Sequence, residues 1–338
     1  MYKRSFIDYV VLYFKGLLMG TANKIPGVSG GMIALVLGFY EEMIYSFQKV
    51  NIKSLQLLFA GRFRKFFEYI NFNFLFAINI GSVSAFFSVS LLIDWLMRTK
   101  EQGGAGFETE VWSYFFGLII GSIYYIALKV QKWSIKPYMG VIFGAALGLW
   151  ISFMNPMAPN DNYWFIFLCG IIGVSGMTLP GFSGSFILII IGNYNLLLVD
   201  SVNNLFYTIT AVMQGDFKML GTDSLVERAE RVRMLYIIAV FAIGSLFGMI
   251  TFSKGMGFLL RKWHNIVIAT LMGFVIGSLG AAWPWKTEDL DYNGQLLSYT
   301  RFTPDITDIS FIIQLVCIVV GILSILLIKH YENRRLKL

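Results

Sequence analysis

Pro26-Gly27-Val28-Ser29-Gly30-Gly31-Met32-Ile33 returns 154 positions later as Pro180-Gly181-Phe182-Ser183-Gly184-Ser185-Phe186-Ile187. The register continues without a gap to Gly38 and Gly192 and to Tyr40 and Tyr194, giving seven identities in fifteen positions. In both copies Pro and Gly interrupt an apolar run, which predicts a break followed by a short helix, Met32 to Tyr40 and Phe186 to Tyr194. Further along, Gly81-Ser82-Val83 is echoed by Gly244-Ser245-Leu246. Gly117-Leu118-Ile119-Ile120-Gly121-Ser122 is likewise echoed by Gly273-Phe274-Val275-Ile276-Gly277-Ser278. Elements that recur in order at offsets of 154 to 163 predict a tandem repeat of about 155 residues. Its units are 1–155, with a re-entrant motif at 25–45, and 156–328, with a re-entrant motif at 179–199. A basic tail, 329–338, follows.

The chain around these motifs is 57% hydrophobic and only 14% charged over 338 residues, where a soluble domain carries nearer a quarter charged. The apolar surplus lies in ten blocks, at 6–22, 25–45, 72–97, 111–130, 137–154, 163–178, 180–199, 234–253, 264–283 and 308–328. Blocks of this length predict an all-α polytopic membrane protein of about ten transmembrane or re-entrant segments. A cytosolic enzyme, a disordered chain and a disulfide scaffold are excluded. Cys169 and Cys317 both sit in apolar runs, as small buried hydrophobes do. Lys3 and Arg4 ahead of an apolar stretch ending at Gly20-Thr21-Ala22 look like a signal peptide. Lys15 interrupts that stretch and the segment has a later counterpart, so it is read as part of the fold.

Loop charge orients the chain. With both termini in the cytoplasm, the inner loops and tail hold 17 Lys and Arg and the outer loops 8. The net charge of +7 then reflects topology, and nucleic acid is not an expected partner. In this orientation the first motif enters and leaves from inside and the second from outside. The two repeats are therefore expected to be inverted, a pattern typical of alternating-access carriers. After the broken hairpin of the first repeat, Leu57, Leu58, Phe59, Phe63, Phe66 and Phe67 interleave with Arg62, Arg64 and Lys65, as in a helix lying in the cytoplasmic interface.

Pro-Gly-x-Ser-Gly carries chemistry as well as a break. Pro suits a first helical position, and Gly leaves backbone N–H groups open to close approach. Irregular backbone at membrane depth is tolerated only where it faces protein or a cavity. Two broken half-helices meeting near the midplane would present N–H donors to an anion. The candidate phosphate-binding set is Lys24, Pro26, Gly27, Ser29, Gly30 and Gly31 with Pro180, Gly181, Ser183, Gly184 and Ser185. Close packing through small residues is the competing reading of the same glycines. Charges in or beside apolar segments are costly, which makes Lys15, Glu41, Glu42, Asp94 and Arg98 candidates for coupling or gating. Asp94 and Arg98 also have the spacing of a local ion pair. The sequence has no G-x-x-x-x-G-K-[ST], so no ATP-hydrolysing P-loop is expected. Only His264 and His330 are present, and no Cys, His and carboxylate cluster has metal-ligand spacing, so no metal or other cofactor is expected.

At these residues the sequence resembles the PopT-type polyprenyl-phosphate translocases, a bacterial family first catalogued as domain of unknown function 368. The likeness rests on Ile25-Pro26-Gly27-Val28-Ser29-Gly30-Gly31 with Gly38-Phe39-Tyr40-Glu41, and on Leu179 through Leu188 with Gly192-Asn193-Tyr194. It covers essentially the whole chain. Met32 departs from it, standing where a hydroxyl residue is common. The resemblance implies a flippase that returns undecaprenyl phosphate from the outer to the inner leaflet of the bacterial cytoplasmic membrane for reuse in envelope glycopolymers. Its partners would be the polyprenyl-phosphate lipid and membrane lipids, with oligomer formation left open and coupling to protons or sodium expected. A small-anion or ion-coupled transporter using the same midplane site is the alternative.

Overall fold

The computed structural model describes residues 4–24, 29–97, 106–181, 183–213, 225–290 and 296–335. In hydrocarbon each backbone polar group needs a partner within the protein, so the apolar runs fold as helices. In the first half these are α1 (Phe6–Lys24), α2 (Gly30–Val36), α3 (Tyr40–Gln48), α4 (Ile52–Phe59), α5 (Phe63–Tyr69), α6 (Phe72–Phe87), α7 (Val89–Met97), α8 (Glu108–Ala127) and α9 (Ile135–Ser152). Then come α10 (Tyr163–Thr178), α11 (Gly184–Ile190), a π-helical turn (Asn195–Asp200), α12 (Ser201–Met213), α13 (Leu225–Ser278) and α14 (Ile309–Arg335). Among the described residues four helices, α8, α9, α13 and α14, are long and apolar enough to cross a membrane, and α6 and α10 hold shorter apolar stretches. The protein is a mostly helical, multi-pass membrane protein.

Several expected segments are subdivided. The run 25–45 divides into α2 and α3 around Gly38, whose φ of +75° suits glycine. The run 72–97 breaks at Ser88, where the hydroxyl donates to the Ser84 carbonyl (2.6 Å) in place of helix continuation. The basic loop expected at 254–264 is helical almost throughout. Only Trp263 leaves helical geometry (φ −137°, ψ 47°), bending α13 into two arms. The expectation of an all-α fold is corrected in one place. Lys286–Leu290 (β1) pairs antiparallel with Leu296–Arg301 (β2) in the acidic loop before α14. Arg301 holds this hairpin down by donating to the carbonyls of Gly280 (3.1 Å) and Ser152 (2.7 Å). The Lys286 amine lies 3.9 Å from the Trp112 ring centre.

Helices α1 and α6, α8 and α14, α10 and the first arm of α13, and α9 and its second arm pack in pairs. The close approach is made by glycine. A Cβ at Gly81, Gly117, Gly244 or Gly273 would run into the carbonyl of Tyr13, Ile318, Phe167 or Val141 on the facing helix. For these four echoed glycines, close packing is therefore their role. Against this scaffold α2 is buried over its whole length, at the centre of a core that includes Tyr40, Ile44, Phe74 and Ile119. Helices α4 and α5 lie apart from it. Asn51 starts α4 with a capping box, and Ile52, Phe59 and Phe63 are exposed beside Arg62, Arg64 and Lys65.

Candidate functional site

Ser29 is the N-cap of α2. It is extended (φ −106°, ψ 142°), and its hydroxyl accepts from Met32 N–H (3.1 Å). The same oxygen accepts from Gly181 N–H (3.2 Å) and donates to the Leu179 carbonyl (2.8 Å). The two motifs, 150 residues apart in the chain, therefore meet at one hydroxyl. On the other side of the junction Ser183 caps α11, accepting from Phe186 N–H (3.1 Å) and lying 2.9 Å from the Ser185 hydroxyl. Ser29 and Ser183 are both fully buried.

The glycines permit this meeting. Gly181 has φ +113°, and a Cβ there would lie 3.2 Å from both Phe274 Cδ1 and the Phe274 carbonyl oxygen. Gly30 N–H donates to Asn23 Oδ1 (2.8 Å), and any side chain at Gly30 would displace the Asn23 amide. Gly31 and Gly184 are buried in the first turns of their helices, and Pro180 is buried beside Gly181. Lys24 ends α1, but its side chain, with Pro26 and Gly27, lies outside the described residues.

This junction gathers acceptors and donors suited to an oxyanion. The Ser29 oxygen takes two N–H donors and gives one proton to a carbonyl, a set that a hydrogen-phosphate oxygen could satisfy equally. With only seven residues each in α2 and α11, the geometry of the donors matters more than helix dipoles. In the observed conformation the Ser29, Asn23 and Ser183 side chains hold these N–H groups.

The far ends of the half-helices are held differently. Lys15 Nζ donates to the Leu37 carbonyl (2.5 Å) and Lys129 Nζ to the Leu35 carbonyl (2.6 Å), so two ammonium groups cap the end of α2. The end of α11 is instead covered by a loop, with Met157 N–H on the Ile190 carbonyl (2.8 Å). The Asn193 amide bonds Asn160 in both directions, at 2.8 and 2.6 Å.

The candidate acids fall into two separate networks. Glu42 receives both guanidinium nitrogens of Arg4 (2.8 and 2.5 Å) and the Asn71 amide (2.8 Å). That hydrogen-bonded carboxylate raises the Arg4 pKa. Glu41 points the other way, with its Oε1 3.0 Å from His264 Nε2 on α13. Asp94 lies on α7, but its side chain and Arg98 fall outside the described residues, as does the ion pair expected between them. Among the described residues no three His, Cys, Asp or Glu side chains gather as a metal site.

Sequence reasoning missed Asn23, Lys129 and Ser122. The hydroxyl of Ser122 lies 3.3 Å from Met32 Sδ, so a hydroxyl from α8 meets the motif at the position where Met32 departs from the family pattern. Asn23 gave a readable signal, an amide in an apolar helix next to Lys24. Lys129 gave none, since it reads as one more basic loop residue.

Comparison with known proteins agrees with the sequence resemblance. Residues 19–296, which include both motifs, match the family described as VCA0040-like, undecaprenyl phosphate translocase-like. The chain is 30% identical over 280 residues to the polyprenyl-phosphate transporter of Vibrio cholerae serotype O1 (strain ATCC 39315 / El Tor Inaba N16961), covering 83% of this chain and 79% of that one. It is 31% identical over 283 residues to the polyprenyl-phosphate transporter of Staphylococcus aureus (strain NCTC 8325 / PS 47), covering 80% and 84%. No solved structure matches significantly.

Proposed function

The chain belongs to the undecaprenyl phosphate translocase-like family, and from that premise we propose that it carries undecaprenyl or another polyprenyl phosphate from the outer to the inner leaflet of the bacterial cytoplasmic membrane. Like its named relatives it is a transporter and not an enzyme. The returned lipid is reused in envelope synthesis. The observation that carries this reading is the contact of Ser29 with Leu179 and Gly181, which joins the two motifs at a set of donors. In the proposed cycle the lipid phosphate takes over N–H groups now held by Ser29, Asn23 and Ser183. The junction then opens to one leaflet at a time, with Lys24, Pro26, Gly27, Gly31, Gly184 and Ser185 completing the cradle.

The helix pairing supports an inverted repeat. In repeat order, α1 and α6 correspond to α10 and the first arm of α13, and both are packed pairs. The last helix of each repeat packs on the other repeat, α9 on the second arm of α13 and α14 on α8. Such an exchange lets two halves rock about a shared site.

A lipid is favoured over a small anion by an apolar crevice of about 120 Å³ beside α2, lined by Leu18, Ala22, Ile33, Val36, Leu118 and Ile325 among others. A polyprenyl tail needs such a surface next to its headgroup, and a free anion does not. Moving a negative headgroup inward against the membrane potential costs about 2.3 kcal/mol per charge per 100 mV. Co-transport of protons or sodium offsets that cost, and Glu41, Glu42 and Lys15 are the candidates for it.

The test is leaflet reorientation of a labelled polyprenyl phosphate in proteoliposomes, for wild type, Ser29→Ala, Ser183→Ala and Gly30→Leu. The expected result is fast reorientation in wild type, abolished by Gly30→Leu and slowed by the serine variants. Wild-type protein that is folded but inactive under an imposed proton or sodium gradient would overturn the lipid carrier. Unchanged rates with both gradients collapsed would overturn the coupling alone.

A further inference from the structure

A second concavity lies far along the chain from the motifs, between the loop before α9 and the bend of α13. It is an open surface concavity of about 310 Å³, and its lining includes Lys132, Lys136, Arg261, Lys262 and His264. No Asp or Glu is among its described lining residues. Four formal positive charges around one small volume repel each other, and an anion relieves that repulsion.

The charges come from two distant parts of the chain, held together by Gln131 N–H donating to Asn265 Oδ1 (3.1 Å). Each part also begins a helix. At the start of α9, Ser134 is extended and its hydroxyl makes no capping bond, so the first N–H groups of the helix are left uncapped by a side chain. The second arm of α13 begins just after the non-helical Trp263.

Among the described residues Lys132, Lys136, Arg261 and Lys262 make no ion pair, and Lys262 lies over the Trp263 ring (4.7 Å). Arg261 donates to the neutral Gln48 amide oxygen (3.3 Å) and faces the Tyr45 ring. Glu41 meets the Nε2 side of His264 and is not among the lining residues.

Each of the two parts carries an aromatic pair, Trp133 with Tyr138 (4.9 Å between centres) and Phe258 with the cavity-lining Trp263 (6.3 Å), all four exposed. Exposed Trp and Tyr mark the depth of lipid headgroups. We infer that this cavity is a second binding site, for a phosphomonoester group, used by a lipid headgroup at the membrane surface. Carbonyl-bound motif residues play no part in it. Only the identity of its leaflet, the inner one, rests on the proposed orientation.

The test is calorimetric titration of the detergent-solubilised full chain with short-chain phosphatidic acid, short-chain phosphatidylglycerol and inorganic phosphate. Wild type is compared with Lys132→Gln/Lys136→Gln/Lys262→Gln, and with the equally neutralised Lys53→Gln/Arg62→Gln/Lys65→Gln on α4 and α5. Phosphatidic acid is expected to bind the cavity variant about tenfold more weakly or worse, at roughly 1.4 kcal/mol per tenfold, and the control variant as wild type. Phosphatidylglycerol, a diester, is expected to bind wild type less tightly. Inorganic phosphate that competes fully would assign the site to free phosphate, and failure to compete assigns it to the lipid. Equal loss in both triple variants, or no loss in the cavity variant, overturns the site. Binding lost in the cavity variant but kept in Ser29→Ala belongs to this cavity, and binding lost in Ser29→Ala alone belongs to the motif junction, so failure of the motif reading and failure of this one are separable.

Discussion

Ser29 and Ser183 occupy matching motif positions and cap their helices alike, yet they carry different loads. Ser183 holds one backbone N–H and touches Ser185, whereas Ser29 also bridges Leu179 and Gly181. Losing a serine cap costs about 1 kcal/mol, and each buried group left unpaired adds about 1–3 kcal/mol. Thermal unfolding in detergent should therefore show Ser29→Ala destabilised by more than Ser183→Ala, and equal losses would mean the bridge is idle. Gly181→Ala combines an unfavourable positive φ with a contact on Phe274. It should lower both melting temperature and transport, while Gly61→Ala, also at positive φ but with open space around its Cβ position, should keep transport. The importance of Ser29 and Gly181 was legible in the repeated motif. The role of Asn23 was not, because its partner is a backbone N–H set by a turn rather than by a pattern.

Elements are fixed at their ends as much as along their faces. Lys15 and Lys129 reach the last carbonyls of α2 from α1 and from the turn after α8. Replacing Lys129 by Met, which keeps length but removes the donor, should cost about 1.5–3 kcal/mol, the worth of a hydrogen bond to a charged group. It should also slow reorientation in proteoliposomes, with Lys129→Arg retaining most of both. The hairpin before α14 has a pH signature. Ser298 and Thr300 hydroxyls donate to Asp289 (2.7 Å each), favouring its ionised form and lowering its pKa. In the turn before α14, the Thr307 N–H and hydroxyl lower the pKa of Asp305 in the same way, and the Ser310 hydroxyl and N–H that of Asp308. A lowered folded pKa stabilises the hairpin fully above the ordinary aspartate value of about 3.9 and loses that contribution as pH falls through the lower folded value. Emission from Trp283 and Trp285 should shift in that acid window, and Asp289→Asn should shrink the transition. The hairpin itself was not legible from sequence, because its strands are short and its anchors, Ser152 at the end of α9 and Gly280 in the turn after α13, lie outside it.

At the scale of the whole molecule, orientation is the property most open to direct test. Single cysteines at Lys53 and at Thr307, in a background lacking Cys169 and Cys317, should react with impermeant thiol reagents from opposite sides of intact cells. Lys53→Cys is expected to be shielded until the membrane is opened, and Thr307→Cys labelled at once. Lys53→Cys labelled at once with Thr307→Cys shielded would reverse the charge-based topology and with it the leaflet of the cationic cavity, and labelling of both from the same side would overturn that topology.

Composition and local pattern determined a great deal on their own. They specify a helical membrane protein, the positions where Pro and Gly break it, and the serines that restart its half-helices, because helix formation in lipid and capping depend on neighbours within a turn. The family could be recognised for the same reason, since its motifs are contiguous. The tertiary structure alone decided that Ser29 meets Leu179 and Gly181 and that two lysines close α2. It also decided that four cations, from α9 and the loop before it and from the bend of α13, share one cavity. Each of those depends on residues brought together across 22 to 152 positions, and no local rule fixes which side chain arrives.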